Sequence, residues 1–323
     1  MRSATLCFAI QPLRGEDKDA ASMRFTHQPG AQPLAGYTIQ RGIHRGGFGE
    51  VYYAHSDGGK EVALKLLQRE QDVELRGVRQ CLNLKHSNLV NLFDVRTDAH
   101  GEQWVVMEYV NGSSLEDVLA SFPNGLPLDE VREWLSGIVA GVAYLHDRGI
   151  VHRDLKPANV YRENGTVKVG DVGLSKRLGT DRRGAHTQSV GTVYYMAPEV
   201  ANGQYGPEVD VYSLGIMLYE MLTGRLPFMG ESTAEVLMKH LTATANLDGI
   251  PESLRPVVSR ALAKDPQKRT PSAVQLNQEF QDALNFTRES GPMTAGHSAF
   301  DVQSWISLAA QPAAHLVPWR PVA

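Results

Sequence analysis

Between Tyr37 and Val110 the hydrophobic positions fall in short runs rich in β-branched and aromatic residues. They are Val51-Tyr52-Tyr53-Ala54, Glu61-Val62-Ala63-Leu64-Lys65 and Trp104-Val105-Val106-Met107-Glu108-Tyr109. Stiff branched side chains suit a pleated surface, so each run predicts a strand. Turn residues such as Asp57-Gly58-Gly59 separate them. Asp72 to Leu84 interrupts the strands with a helical stripe, Val73, Val78, Cys81 and Leu82. From about Leu115 the period becomes mainly helical. Leu128 to Arg148 is apolar at helical spacing and stops at Gly149, and Val209 to Thr223 closes at Gly224 and Pro227. The pattern predicts an α+β chain of two lobes. A small β-rich lobe with one main helix spans 37–110 and a larger, mainly helical lobe spans 111–284, with room for a ligand between them.

The flanks lack any period. Residues 1–36 mix Gly, Pro, Gln and alternating charge (Arg14-Gly15-Glu16-Asp17-Lys18-Asp19), which predicts a flexible leader. The stretch 285–323 holds Pro292, Pro312, Pro318 and Pro321 and reads as a disordered tail or docking segment. No internal repeat or low-complexity tract is present.

Composition excludes several classes. With 42% hydrophobic and 21% charged residues and a formal charge of −4, the chain is not a generic nucleic-acid binder, which should be basic. An anionic ligand stays open, because phosphate sites are often built from backbone N–H groups and one or two cations. Cys7 and Cys81 cannot make a disulfide framework or a four-ligand zinc site, so a reducing, cytoplasmic setting is expected. No run approaches the roughly 20 apolar residues of a membrane helix.

The chemistry concentrates in His152-Arg153-Asp154-Leu155-Lys156-Pro157-Ala158-Asn159, a loop after a long helix. A carboxylate and a carboxamide five residues apart could orient a hydroxyl and hold a divalent cation. Twelve residues on, Asp171 follows the strand-like Val167-Lys168-Val169 and precedes Val172-Gly173, a natural place for a Mg²⁺ ligand. Upstream, Gly46-Gly47-Phe48-Gly49 joins two strands and Lys65 ends another. Glycines let the backbone approach phosphate oxygens and a lysine neutralises them. A dinucleotide fold would need a helix after those glycines, whereas Glu50-Val51-Tyr52-Tyr53 reads as strand. Phosphoryl transfer is mostly positioning plus charge neutralisation, so these parts are nearly its whole requirement.

On these residues the chain resembles the eukaryotic-type (Hanks-type) serine/threonine protein kinase family, including its bacterial members, over about Tyr37 to Leu284. The resemblance implies a bilobal kinase fold, ATP as co-substrate, Mg²⁺ or Mn²⁺, and protein substrates with Ser/Thr acceptors. It also admits self-association for autophosphorylation in trans. By residue, it implies that Lys65 contacts the α- and β-phosphates and pairs with Glu74 on the first helix. Asp154 takes or orients the hydroxyl proton, assisted by Lys156, and Asn159 and Asp171 hold metal. Ile43, Gly46, Gly47, Phe48 and Gly49 cover the nucleotide, Val51 and Ala63 sandwich adenine, and Met107, Glu108 and Val110 form the gatekeeper and hinge. Asp210 would anchor the catalytic loop, and Glu199 of Met196-Ala197-Pro198-Glu199 would pair with Arg269. Thr192 matches a residue that contacts the catalytic aspartate.

Three positions depart from the family pattern. His44 stands where a glycine is usual, which should stiffen the start of the loop, and a charged ring there could lie near phosphate. Val172 replaces a phenylalanine and fills less space under the first helix. The Lys65–Glu74 interval is about half the usual length, with Glu70 the other candidate acid. These departures prompt a competing reading, a kinase-fold scaffold with weak catalysis, against which stands the retention of Lys65, Asp154, Asn159 and Asp171. For regulation, the resemblance implies phosphorylation of Thr187 or Ser189, read by Arg153 and Lys176. Lys156 matches the serine/threonine branch. Ala158 and Ser114 occupy positions often acidic in arginine-directed kinases, so no preference for basic flanks is expected.

Overall fold

The computed structural model describes residues 25–46, 49–67, 72–173 and 192–289. Five strands form an antiparallel sheet in the order β1-β2-β3-β5-β4: β1 (Tyr37–Gly46), β2 (Gly49–Ser56), β3 (Glu61–Leu66), β4 (Leu92–Thr97) and β5 (Gln103–Glu108). The three strands expected from β-branched runs are β2, β3 and β5, the sheet's interior. The edge strands β1 and β4 escaped that reading because edges keep only part of the apolar alternation. β1 is further broken by register shifts at Ile39/Arg41 and Gly42/His44. Helix α1 (Asp72–Cys81) links β3 to β4 and ends short of the expected Leu84.

One face of this sheet closes on a small core of Ile39, Tyr52, Leu64 and Trp104. The leader expected over 1–36 is corrected from Phe25 onward, where it covers that core, and residues 1–24 lie outside the described residues. Leu34 is buried, Phe25 packs against the cluster, and Gly30 N–H donates to Ile39 O at 2.8 Å. An extended covering segment has no period to announce it. The other face, with Ala63, Val105 and Met107, merges with α1 through Val78 and Cys81 into the large core.

The second lobe begins with β6 (Ser113–Ser114) and α2 (Leu115–Ala120), capped by Ser114 and Asp117 in a reciprocal capping box. It continues through α3 (Leu128–His146), β7 (Val160–Glu163), β8 (Thr166–Val169), α4 (Glu208–Thr223), α5 (Thr233–Thr242), α6 (Arg255–Ala261) and α7 (Ala273–Glu289). α4 is buried on nearly every side, including Asp210 at 0% exposure. A carboxylate survives there only because it is fully hydrogen-bonded. α7 runs past Leu284, so the tail expected from 285 starts inside a helix. Leu276, Phe280 and Leu284 form its buried stripe, which polar neighbours dilute in the sequence. Among the described residues, no helix is long and apolar enough to cross a membrane.

Candidate active site

The loop from His152 to Asn159 is fixed from below by α4. Asp210 accepts from the backbone N–H of His152 and of Arg153, each at 2.8 Å, and its Oδ2 lies 2.8 Å from His146 Nε2. Arg153 adopts φ +68°, an expensive conformation for a side chain of its size. The carboxylate beneath it holds that strain in place. His152 is fully buried with Nε2 2.8 Å from Gly170 O, tying the loop to the turn that carries Asp171.

Asp154 is unevenly satisfied. Its Oδ2 accepts from Lys156 Nζ at 3.0 Å and from Asn159 Nδ2 at 3.1 Å. Its Oδ1 is buried with no partner among the described residues. A buried carboxylate oxygen left without a donor is costly unless a donor is meant to reach it. Lys156 Nζ also donates to Thr192 Oγ1 at 2.9 Å, so Thr192 meets the lysine rather than the aspartate directly.

Lys65, 3% exposed, donates to both oxygens of Asp171 at 3.0 Å. Burial works to raise the Asp171 carboxyl, but Lys65 foremost, then Lys156 and His152, hold its pKa below the usual carboxylate range. Asp171 sits at φ +55°, the second strained non-glycine residue of the cleft. The residues fit a hard divalent cation. Asn159 turns its amide nitrogen to Asp154 O at 2.9 Å, which leaves its side-chain oxygen to serve as a ligand beside the Asp171 carboxylate.

The strand side of the cleft is built by register. Val51 opposes Lys65 and Ala63 opposes Met107, placing a half-buried valine and two buried apolar side chains on one surface. Gly49 is required by its own geometry, since it has φ +118° and a Cβ there would run into the Leu66 carbonyl. The profile of the protein kinase domain matches residues 37–280. The chain belongs to that family.

Curated relatives agree. A probable serine/threonine-protein kinase of Streptomyces coelicolor is 36% identical over 80% of this chain and 42% of its own length. The serine/threonine-protein kinase PrkC of Bacillus subtilis is 35% identical over 78% of this chain and 41% of its own. The chain therefore spans less than half the length of these relatives. The solved kinase domain of Mycobacterium tuberculosis PknI, 25% identical, matches with a TM-score of 0.64 over 80% of this chain and all of that one. The chain is thus a Hanks-type kinase domain with the kinase fold, like these bacterial relatives, and the family implies ATP as co-substrate and a divalent metal.

In this kinase domain Asp154, Lys156 and Asn159 form one hydrogen-bonded group and Lys65 with Asp171 another, and the Lys156 charge acts on Asp171. Ile43 is exposed on β1 and Gly46 ends it, whereas Gly47 and Phe48 lie outside the described residues. Glu108, expected in the hinge, has its side chain engaged in structure, accepting from Lys168 Nζ at 2.6 Å and Asn91 Nδ2 at 2.7 Å, and Val110 packs against the large core. Glu74 lies on α1 with its side chain outside the described residues, as are Lys176, Thr187 and Ser189 altogether. Lys65 finds its described partner in Asp171 instead.

Two departures resolve physically. The His44 pKa is lowered: partial loss of water around its ring lowers it most, Asp171 opposes that, and Lys65 and Lys156 reinforce it. Its Nε2 packs where a Cβ at Gly46 would stand, so the ring rests on the end of β1, at the start of the glycine stretch. The space under Val172 is closed by α1 itself. A Cβ at Gly77 would run into the Gly173 carbonyl, so helix and turn meet backbone to backbone with Val172 buried beside them. Beyond Thr192, Glu199 and Arg269 pair as expected, at 2.5 and 2.6 Å.

Sequence reading missed an acidic cluster behind Thr192. Tyr195 donates to Glu220 Oε2 at 2.7 Å. Burial raises Glu220 to about 7 against that hydrogen bond, with repulsion from Glu116 adding to it. Glu116, on the exposed side of α2, is itself raised by partial loss of water and by Asp117, opposed by Lys156. Acids far apart in sequence give no local signal of their meeting.

Proposed function

We propose that the whole protein is a cytoplasmic serine/threonine protein kinase that transfers the γ-phosphoryl group of Mg-ATP to protein hydroxyls and phosphorylates its own activation segment. The observation that carries this is the bare Asp154 Oδ1 beside a fully engaged Oδ2. A substrate hydroxyl donating to that oxygen would lose its proton to Asp154 as its own oxygen bonds to phosphorus and the bond to the ADP oxygen breaks. Lys156 lies within reach to offset charge on the transferring group. Asn159 and Asp171 are the residues suited to hold Mg²⁺, which when bound neutralises phosphate charge. The Lys65–Asp171 pair must loosen for Lys65 to reach an anion. The scaffold reading is disfavoured by this same network, since a scaffold needs no bare, buried carboxylate oxygen.

Regulation through Arg153 is supported by its buried Nε, which has no partner among the described residues, and by its guanidinium packed over Tyr205 at 5.1 Å. A phosphate on Thr187 or Ser189 would suit it, with Lys176 as second cation and a second copy of the chain as donor enzyme. The test is radiolabel transfer from γ-labelled ATP to the chain and to a generic protein substrate, followed by phosphoamino-acid analysis and peptide mapping. Label on serine and threonine, with Thr187 or Ser189 among the sites, is the expected result. Label confined to tyrosine, or none, would refute the function, and label elsewhere alone would refute the regulatory sites.

The acidic cluster alters the expectation of no basic preference. Glu116 and Glu220 supply acid from other elements, and a cationic substrate side chain is favoured once Glu220 ionises. For a peptide with an arginine flank, kcat/KM relative to its alanine analogue should grow between about pH 6 and 8 and stay flat in Glu220→Gln. Stability runs the other way. The Glu220 pKa is raised in the fold from 4.5 to about 7, so its contribution is present below pH 4.5 and lost as pH rises through 7. Equal pH profiles for the two proteins would remove the assignment.

A further inference from the structure

The segment from Phe25 to His27 touches both strands that bound the glycine loop. On β1, the Phe25 ring occupies the space above Gly42, where any Cβ would collide with it. The register of β1 shifts on both sides of that glycine, and the His44 ring then lies against Gly46 at the end of the strand. On β2, Thr26 donates to Glu50 twice, from its backbone N–H to Oε2 at 2.9 Å and from Oγ1 to Oε1 at 3.1 Å. Phe25 also packs on Tyr52, with ring centroids 5.5 Å apart, and His27 N–H donates to the Tyr52 hydroxyl at 3.2 Å.

Glu50 is the residue directly after Gly49, and it is only 6% exposed. Arg45 Nε lies 3.1 Å from its Oε1 and Tyr52 donates to its Oε2. Burial works to raise this carboxyl, but the bonds from Tyr52 and Thr26, with Arg45, keep its pKa below the usual value. An ionised, buried carboxylate at the base of a turn, bonded from β1, β2 and the preceding segment together, fixes three pieces of chain against one another. The ends of β1 and β2 on either side of Gly47-Phe48 are thereby joined to the preceding segment.

We propose that Phe25 and Thr26 clamp the glycine loop through Gly42 and Glu50, making Thr26 and Glu50 positioning residues for the phosphates of ATP. This rests on the kinase reading of the cleft. None of these contacts involves Lys65, Asp154 or Asp171, so the clamp acts on where the loop sits and leaves the transfer step alone. A loop that must be ordered on binding costs affinity, whereas one held in place does not.

The test uses the full chain at a temperature well below its unfolding transition. In Phe25→Ala/Thr26→Val, the KM for ATP and the Kd of a fluorescent ATP analogue should rise roughly 3- to 10-fold, the net worth of one hydrogen bond. The kcat and the KM for peptide should stay within about twofold. Thr26→Ser, which keeps the hydroxyl, should behave as wild type. A lowered Tm with KM for ATP unmoved would reduce the clamp to a stabilising cover and overturn the proposal. Should the double variant fail to fold, Glu50→Gln tests the same contact, and an unchanged KM for ATP there is equally fatal. A wild type that neither binds Mg-ATP nor transfers phosphate would sink the kinase reading as well, whereas an active wild type with indifferent variants sinks the clamp alone.

Discussion

Asp154→Asn lowers kcat by roughly 10²–10⁴-fold, the range lost when a positioned acid–base group is removed. Nucleotide affinity changes little, because Lys65 and the strand surface are untouched. Lys156 Nζ and Asn159 Nδ2 both donate to Oδ2, so an asparagine must turn its oxygen toward them. Its NH₂ then occupies the position of the bare Oδ1. A substrate hydroxyl meets a donor where it needs an acceptor, and its proton has no destination. Steady-state kinetics with a fluorescent-nucleotide titration separate the two effects. A kcat within about tenfold of wild type would mean that Asp154 is not the group facing the hydroxyl.

Arg269→Ala destabilises the domain by about 3–5 kcal/mol, the usual cost of leaving one partner of a buried ion pair alone. Arg269 is 4% exposed and Glu199 6%. The guanidinium also donates from Nε to Ala263 O at 2.7 Å, from one terminal nitrogen to Glu208 O at 2.9 Å, and from the other to Lys264 O at 3.1 Å. With the two bonds to Glu199, all five donors are used. Arg269→Lys restores the charge but not the fork, so it should recover only part of the loss. At a few degrees per kcal/mol, thermal unfolding should begin on the order of 10 °C lower. A Tm within a degree or two of wild type would show the pair to be dispensable. Because Glu199 closes the segment that starts at Thr192, the variant should also lose activity before it unfolds.

Much of this was readable from the chain. Strands β2, β3 and β5 and helices α3 and α4 follow from periodicity, since each buries one face or, for α4, nearly all of its surface. β1, β4 and the cover from Phe25 were not readable, because an edge strand or an extended strap buries too little for a repeating signal. Lys65, Asp154, Asn159 and Asp171 were legible as residue types at set spacings. Their hydrogen bonds were not: Lys65 meets Asp171 across the cleft, and Thr192 meets Lys156 instead of Asp154.

Residue types and their covalent spacing settle the chemistry on offer and the order of its parts, because Asp154, Asn159 and Asp171 sit on short connections whose reach is set by chain length. How those parts are held is settled in three dimensions. Gly77 against Gly173, Thr26 on Glu50, and Glu116 near Glu220 are meetings between distant residues, set by how elements pack. Spacing along a chain carries no record of such contacts. They depend on shape and on the loss of water around buried charge, and both exist only once the lobes have formed.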